Sequence, residues 1–321
     1  MYSKLAIGRG QNVNELVRQM KDTAFNARKL GHAADILENM IKDPECKTFL
    51  TLAGAMIPAG MKGIVHDMLG RKWIDALITT GANLTHDLVE SLEYHHFQLD
   101  ENSYSTSQNS HGINSLTVSS YDKYDDKELA QESIYRIYDC FMPGEVYTKL
   151  EKFIQSAIDK MPMKEMSIQE FLHEFGKHCP ENSILNICSR NNISVFCPAF
   201  ADSGIGIQIW FYIQDKQLKV NALNDLKNIF DITWTAKKLG VFIIGGGVPK
   251  NYAMQAFQFS NSAKYFVQIT TDREDYGGLS GATPQEAISW GKISADANFA
   301  DIRCDATICL PILYSCLIDR L

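Results

Sequence analysis

Short, nearly continuous apolar runs alternate along this chain with longer stretches whose apolar residues recur at helical spacing, and that alternation predicts its architecture. Residues 13 to 43 carry Leu16, Val17, Met20, Phe25, Ala34, Leu37 and Met40 at helical intervals, which predicts one or two helices ahead of the first strand. The run from Phe49 to Ala55 reads as that strand. A helix-like segment follows around Met61 to Leu69, then a second strand over Ile74 to Thr80 and an amphipathic helix from Leu84 to Phe97. Strand, helix, strand, helix in that order favours a parallel sheet with its crossovers packed on the faces.

Between about Gln98 and Lys127 the sequence turns to Ser, Asn, Tyr and Asp. So little apolar surface cannot offset the entropy of ordering the chain, and the stretch reads as a long polar loop. Helical patterns are predicted through Glu128 to Phe141, Glu145 to Met161 and Ile168 to His178. Four further runs, ISVFCPAF, GVFIIGGG, KYFVQITT and ATICLPIL, are almost unbroken in apolar character, as strands buried on both faces are. Nothing in the composition divides the chain into two folds, and no internal repeat is present. The expected fold is α/β: a single doubly wound, mostly parallel, Rossmann-like sheet with additional helices, residues 1 to 321 forming one domain.

Composition narrows the partners. The 321 residues, 45% of them hydrophobic, supply a sizeable core. A net charge of -7 and a pI near 5.6 argue against nucleic acid and suit a cationic substrate. Eight cysteines are scattered without a CxxC pair or histidines at ligand spacing, so they read as reduced, mostly buried thiols, and no metal is expected. The first residues lack the apolar stretch of a secretory signal, and no run approaches the roughly 18 apolar residues of a membrane span. A cytoplasmic protein without membrane contact is expected.

Four segments carry candidate chemistry. Gly245-Gly246-Gly247 follows the strand VFII and precedes a helix, a place where a phosphate or ribose approaches the backbone closely, although a plain tight turn reads the same way. Thr79 to Asn83 closes a strand and opens a helix; it leaves room for a nucleotide, or Asn83 simply caps the helix. In PAFADSGIG, Asp202 sits in a small-residue turn after a strand, suited to ribose hydroxyls or an amine and equally to a turn. In SGATPQEAISWGKI, Thr283, Pro284 and Glu286 mark a helix start, Glu286 and Trp290 lie one turn apart, and Lys292 follows. A lysine desolvated beside an indole is freed for imine chemistry, while a lysine at a helix end is also ordinary.

Taken together, GGGVPK, EAISWGKI about forty residues later and then DAT resemble the deoxyhypusine synthase family, and TTGANLTHDL, SIYRIYDCFMP and VFCPAFADSGIG fall in the family's order across nearly the whole chain. The resemblance implies a transferase in which NAD oxidises spermidine and a 4-aminobutyl group is captured as an imine on a lysine. That group then passes to an acceptor lysine on a translation factor. It implies Lys292 as the covalent lysine, Glu286, Trp290, Ser280 and Asn251 around the amine, and Thr80, Gly81, Asp202, Gly246, Gly247, Thr271, Asp305 and Ala306 around the cofactor. It further implies a homotetramer with active sites at subunit interfaces.

Departures from the eukaryotic pattern place Ile207, Tyr276 and Leu279 where acids hold the polyamine, Asn251 where a histidine stands, and Thr85-His86 in place of an acidic pair. Each missing carboxylate removes a charge-assisted bond worth about 1.5–3 kcal/mol. The changed set resembles the bacterial and archaeal branch, whose donor amine and acceptor need not be the eukaryotic ones; a free diamine acceptor would give a homospermidine-like product. A second reading is a catalytically weak paralogue that binds NAD and regulates or assembles with an active partner. A deacylase reading lacks a catalytic histidine, because His86, His95, His96 and His173 fall on predicted helices as partners of surface groups.

Overall fold

The computed structural model describes residues 5–98 and 126–321. Among them ten strands form: β1 (Cys46–Leu52), β2 (Ala76–Thr79), β3 (Ile134–Ile137), β4 (Cys140–Pro143), β5 (Glu165–Ser167), β6 (Ser194–Phe196), β7 (Lys219–Asn221), β8 (Lys238–Ile244), β9 (Ala263–Thr270) and β10 (Ile293–Arg303). Six build an all-parallel sheet in the order β10-β9-β8-β1-β2-β6. The chain enters at β1, runs outward through β2 and β6, returns beside β1 as β8 and runs outward the other way through β9 and β10. That reversal puts a topological switch between β1 and β8, where the carboxyl ends of an open sheet leave a crevice.

Side chains alternate across the sheet with a period of two, and the core divides accordingly. Leu50, Leu52, Phe242, Ile244, Val267 and Ile269 join one buried cluster; Phe49, Val241, Ile243 and Phe266 join another on the opposite face. The helices Phe25–Lys42 and Ala306–Ile318 supply the first cluster, and Gly247–Gln258 supplies the second. This is the doubly wound α/β arrangement that the apolar runs predict.

Several elements differ from the pattern reading. ATICLPIL is not a strand: it opens the helix Ala306–Ile318, capped by Asp305. The stretch Glu128 to Phe141 holds a helix only over Asp126–Gln131, after which IYRI and CFMP pair as the antiparallel hairpin β3–β4 across Tyr138, whose φ is 55°. The helix expected to reach Phe97 ends at Ser91, and Phe97 instead bridges Phe141. Of the polar stretch 98–127, residues 99–125 lie outside the described part. Helices Ile184–Asn191, Gly204–Ile213 and Asn224–Thr235 and the pair β5–β7 are additional elements. All eight cysteines are free, and six are buried. Among the described residues no helix is long and apolar enough to cross a membrane.

Two buried polar nodes tie the helix Gly81–Ser91 to its surroundings. Asp87 is fully buried; Lys62 Nζ lies 3.0 Å from its Oδ1, and Oδ2 accepts the Ile184 backbone N–H at 2.7 Å. Burial pushes the Asp87 carboxyl up to about 6 even with Lys62 beside it. The second node corrects the histidine expectation. Of these four only His86 and His173 sit on helices; His95 and His96 lie beyond Ser91, and the His96 side chain is almost wholly buried. His86 Nδ1 is 2.9 Å from His96 Nε2, whose Nδ1 lies 2.5 Å from Glu90 Oε1.

Burial, and then the neighbouring His96, push His86 down to about 4. Burial alone would raise Glu90, but hydrogen bonds from His96 and His95 outweigh it and pull it down to about 2. An unfolded chain therefore takes up a proton at His86 from about pH 6.5 downward while the folded chain takes it up only near 4, so this group's share of stability falls across that window. Glu90 contributes above its ordinary value and loses that contribution as pH falls toward 2. His86→Phe is expected to flatten the loss between pH 6.5 and 4, on the order of 3 kcal/mol, in urea unfolding followed against pH.

Candidate active site

At the switch point the carboxyl ends of β1, β8, β9 and β10 surround a crevice of about 390 Å³. Residues 53–54, 245–247, 270–272 and 304–306 line it, and Ser280 reaches in from the loop after β9. The glycine turn is shaped by close approach. Gly245 adopts φ 84°, and a Cβ on Gly246 would stand 2.4 Å from Ser280 Oγ and 2.6 Å from its Cα. The Gly247 backbone N–H donates to Ser280 Oγ at 2.8 Å. Gly246→Ala is accordingly expected to displace Ser280, and to weaken by about 1–3 kcal/mol the binding of a dinucleotide that uses this turn, read by calorimetric titration with NAD.

Two helices begin at this crevice. Gly247–Gln258 starts after Gly246 with no side-chain cap, and Ala306–Ile318 starts after Asp305. Asp305 accepts from the Thr307 hydroxyl at 2.6 Å and from its backbone N–H at 2.7 Å, and these bonds hold its carboxyl below the usual value. The uncapped positive end of Gly247–Gln258 beside a glycine turn at a switch point fits a pyrophosphate, while Asp272 and Asp305, the latter occupying the start of Ala306–Ile318, supply acceptors for ribose hydroxyls. The residues present therefore suit a dinucleotide such as NAD.

Apart from Asn251, the sequence-derived site residues fall into three places. Gly246, Gly247, Thr271, Ser280, Asp305 and Ala306 meet in the crevice. Thr80, Gly81 and Asp202 do not line it; they occupy the carboxyl ends of β2 and β6, further along the same edge of the sheet. There Thr80, not Asn83, caps the helix Gly81–Ser91, its hydroxyl accepting the Asn83 N–H. Asn83 is buried and donates to Leu52 O and Thr79 Oγ1. A Cβ on Gly81 would stand 2.3 Å from Ser203 Oγ, so glycine joins the two strand ends here. Exposed Asp202 precedes Ser203, which caps the helix Gly204–Ile213.

Glu286, Trp290 and Lys292 form the third group. The Thr283 hydroxyl caps the short helix Pro284–Ser289 by accepting the Glu286 N–H, and Trp290 ends it, 57% exposed. The Lys292 ammonium lies 5.2 Å from the Trp290 ring centroid, within cation–π range. Lys292 O accepts from Ala263 N at 3.0 Å, which puts this lysine at the amino end of β9. The crevice opens beyond Thr270, at the opposite end of β9, and Lys292 is not among the residues that line it, although its charge still acts on Lys250 beside the crevice. Asn251 is half-buried on the helix Gly247–Gln258, next to the buried Lys250.

Ala53, Gly54, Asp272 and Cys304 line the crevice without having been singled out in the sequence. Small residues ending the apolar run at Phe49 were the available signal for the first two.

Comparison with known proteins places this arrangement. The family model for deoxyhypusine synthase matches residues 15–317. The chain belongs to the deoxyhypusine synthase family. It is 44% identical to "Probable deoxyhypusine synthase 1" of Archaeoglobus fulgidus over 98% of this chain and 96% of that one. It is 40% identical to "Probable deoxyhypusine synthase 1" of Methanosarcina acetivorans over 97% of this chain and 92% of that one. A crystal structure described as a "putative deoxyhypusine synthase" from Entamoeba histolytica covers 96% of this chain and 93% of its own with a TM-score of 0.59. At 16% identity that likeness speaks for the fold. In this member of the deoxyhypusine synthase family, Ile207, Tyr276 and Leu279 are 51%, 69% and 36% exposed, so they present apolar surface rather than charge.

Proposed function

We propose that this protein is an NAD-dependent aminoalkyl transferase of deoxyhypusine synthase type, with Lys292 as its nucleophile. Its donor is spermidine or a related amine. Its acceptor is a lysine on a translation factor or a free diamine, and its setting is the cytoplasm. The observation that carries this reading is the crevice at the β1/β8 switch. Five of the eight positions that the family resemblance assigns to the cofactor, Gly246, Gly247, Thr271, Asp305 and Ala306, converge there with Ser280. When bound, NAD supplies hydride acceptance and return.

The chain's own residues do the rest. The glycine turn admits the dinucleotide, Ser280 fixes the turn, and Lys292 as a neutral amine adds to the imine carbon of the oxidised donor. The donor's own C–N bond then breaks, the remainder leaves as a protonated amine, and the aminoalkyl group stays on Lys292 as an imine until the acceptor amine displaces the lysine in the same way. Because Lys292 and the crevice stand apart within one chain, a second copy is proposed to bring its Lys292 to this crevice, in a homotetramer. Exposed Trp210, Phe211, Trp234, Phe259 and Trp290 offer apolar surface for such contacts.

The alternative, a weak paralogue that binds NAD and assembles with an active partner, draws on the apolar Ile207, Tyr276 and Leu279. The two readings separate when the pure protein is incubated with NAD and spermidine, putrescine or agmatine, reduced with borohydride and mapped by mass spectrometry. An adduct on Lys292 supports the transferase. NAD binding without an adduct from any amine supports the paralogue.

A further inference from the structure

Two cations are directed at one loop. After β9 the chain passes the mouth of the crevice over residues 271–283 before entering the helix Pro284–Ser289. Lys250, on the first turn of the helix Gly247–Gln258 and only 3% exposed, donates to the backbone carbonyls of Leu279 and Ala282, 2.9 Å each. Arg303, the last residue of β10, donates to the carbonyls of Asp272 and, at 2.8 Å, Gly281. Both cations stand on elements that border the crevice, and together they hold the loop at both of its ends.

Lysine is rarely buried without a partner, because its ammonium loses hydration that carbonyls only partly replace. Among the described residues Lys250 has no carboxylate at ion-pair distance. Asp301, on the same strand as Arg303, is held by Arg303 at 3.0 Å and by Gln268 at 2.9 Å. An apolar side chain would fill the space without that desolvation cost. What the ammonium adds is charge-assisted hydrogen bonding to the loop, roughly twice as strong as the neutral kind.

We propose that Lys250 and Arg303 are positioning residues that clamp the loop of residues 272–282 against the glycine turn and so keep Ser280 in place beside the cofactor crevice. The cofactor part of this rests on the crevice being the NAD site; the clamp itself does not. Burial lowers Lys250 to about 8, with Asp301 and Glu286 raising it and Arg303 and Lys292 lowering it further. The ammonium's charge is therefore lost above about pH 8, and the clamp slackens there. Global stability moves the other way. A lysine depressed below its ordinary value costs the fold most below about pH 8, and that cost is relieved as pH rises from there toward the unfolded value.

Hydrogen exchange of the loop amides tests the clamp directly, since Tyr276, Gly277, Gly281 and Ala282 donate to carbonyls within the loop. Wild type, Lys250→Met and Arg303→Gln would be compared at pH 7 and pH 9, with rates corrected for intrinsic base catalysis, and NAD affinity measured by calorimetry. Lys250→Met is expected to exchange these amides roughly tenfold faster at pH 7 with no further rise at pH 9, to bind NAD about tenfold more weakly, and to keep or raise its urea midpoint, since the cost of the buried ammonium goes with it. Wild-type exchange is expected to rise between the two pH values. Unchanged loop protection in Lys250→Met would overturn the clamp. A loosened loop that leaves NAD affinity intact would overturn its role toward the cofactor. A loosened loop in a protein whose wild type binds no NAD would sustain the clamp and sink the dinucleotide reading instead. Should both variants fail to fold, a pH-independent wild-type loop would overturn the proposal by itself.

Discussion

Lys292→Ala is expected to abolish aminoalkyl transfer, with the rate falling by at least three orders of magnitude, roughly 4 kcal/mol of barrier, while NAD affinity changes by less than about twofold. The asymmetry follows from position. Within one chain Lys292 lies outside the crevice, and in the proposed assembly a partner copy's Lys292 meets the donor amine rather than the glycine turn and helix start that cradle the dinucleotide, so its removal leaves that cradle in place. In the proposed mechanism it deletes the amine that holds the transferred group, and no neighbouring side chain replaces a covalent bond. Lys292→Arg is expected to fail equally, because a guanidinium does not deprotonate in proteins. Steady-state transfer with spermidine, alongside calorimetric titration with NAD, checks both halves. Retained transfer in Lys292→Ala, with an adduct on another lysine, would refute the assignment.

Lys62→Met is expected to destabilise the fold by about 3–5 kcal/mol at pH 8, the cost of stranding a buried carboxylate. Lys62 Nζ also donates to Asp87 O at 3.0 Å and to Ser91 Oγ at 2.6 Å, so one side chain serves three groups on the helix Gly81–Ser91. Asp87 is raised above its ordinary value, so the cost of its charge is present above about pH 6 and is relieved as pH falls toward the unfolded value. Without Lys62 it protonates at higher pH still, and the deficit of the variant shrinks at pH 5. Urea midpoints at pH 8 and pH 5 measure this, and Lys62→Met combined with Asp87→Asn is expected to recover most of the loss. Equal deficits at the two pH values would show that lost packing, not the stranded charge, is responsible.

The central sheet was legible because its strands are buried on both faces and read as unbroken apolar runs between helical segments. The same signal misled at ATICLPIL. A fully buried helix is apolar all round, and periodicity cannot separate it from a buried strand. The Asp305-Ala306-Thr307 start, with Asp305 accepting from Thr307, was the discriminating feature. The hairpin β3–β4 was hidden because Tyr138 turns the chain without glycine or asparagine. In the site, the glycine turn and the segment leading to Lys292 were visible as local motifs. Their separation along β9 was not, since it depends on which end of a strand each residue occupies. Lys250 was invisible for a related reason: a lysine in the first turn of a helix reads as surface, and only packing reveals that a loop covers it.

The two margins of the sheet bear on how this protein behaves when crowded. β6 offers three residues, and β10, though long, breaks step with β9 between Ile293 and Asn298. Within that break Asp296 pairs with Lys264 at 2.6 Å, and Asp301 and Arg303 follow further along. A foreign strand seeking to template on either margin meets too few rungs on one side, and a dislocated, charged row on the other. Fibril growth by strand addition at this sheet is thereby discouraged, although its strands are nearly continuous apolar runs.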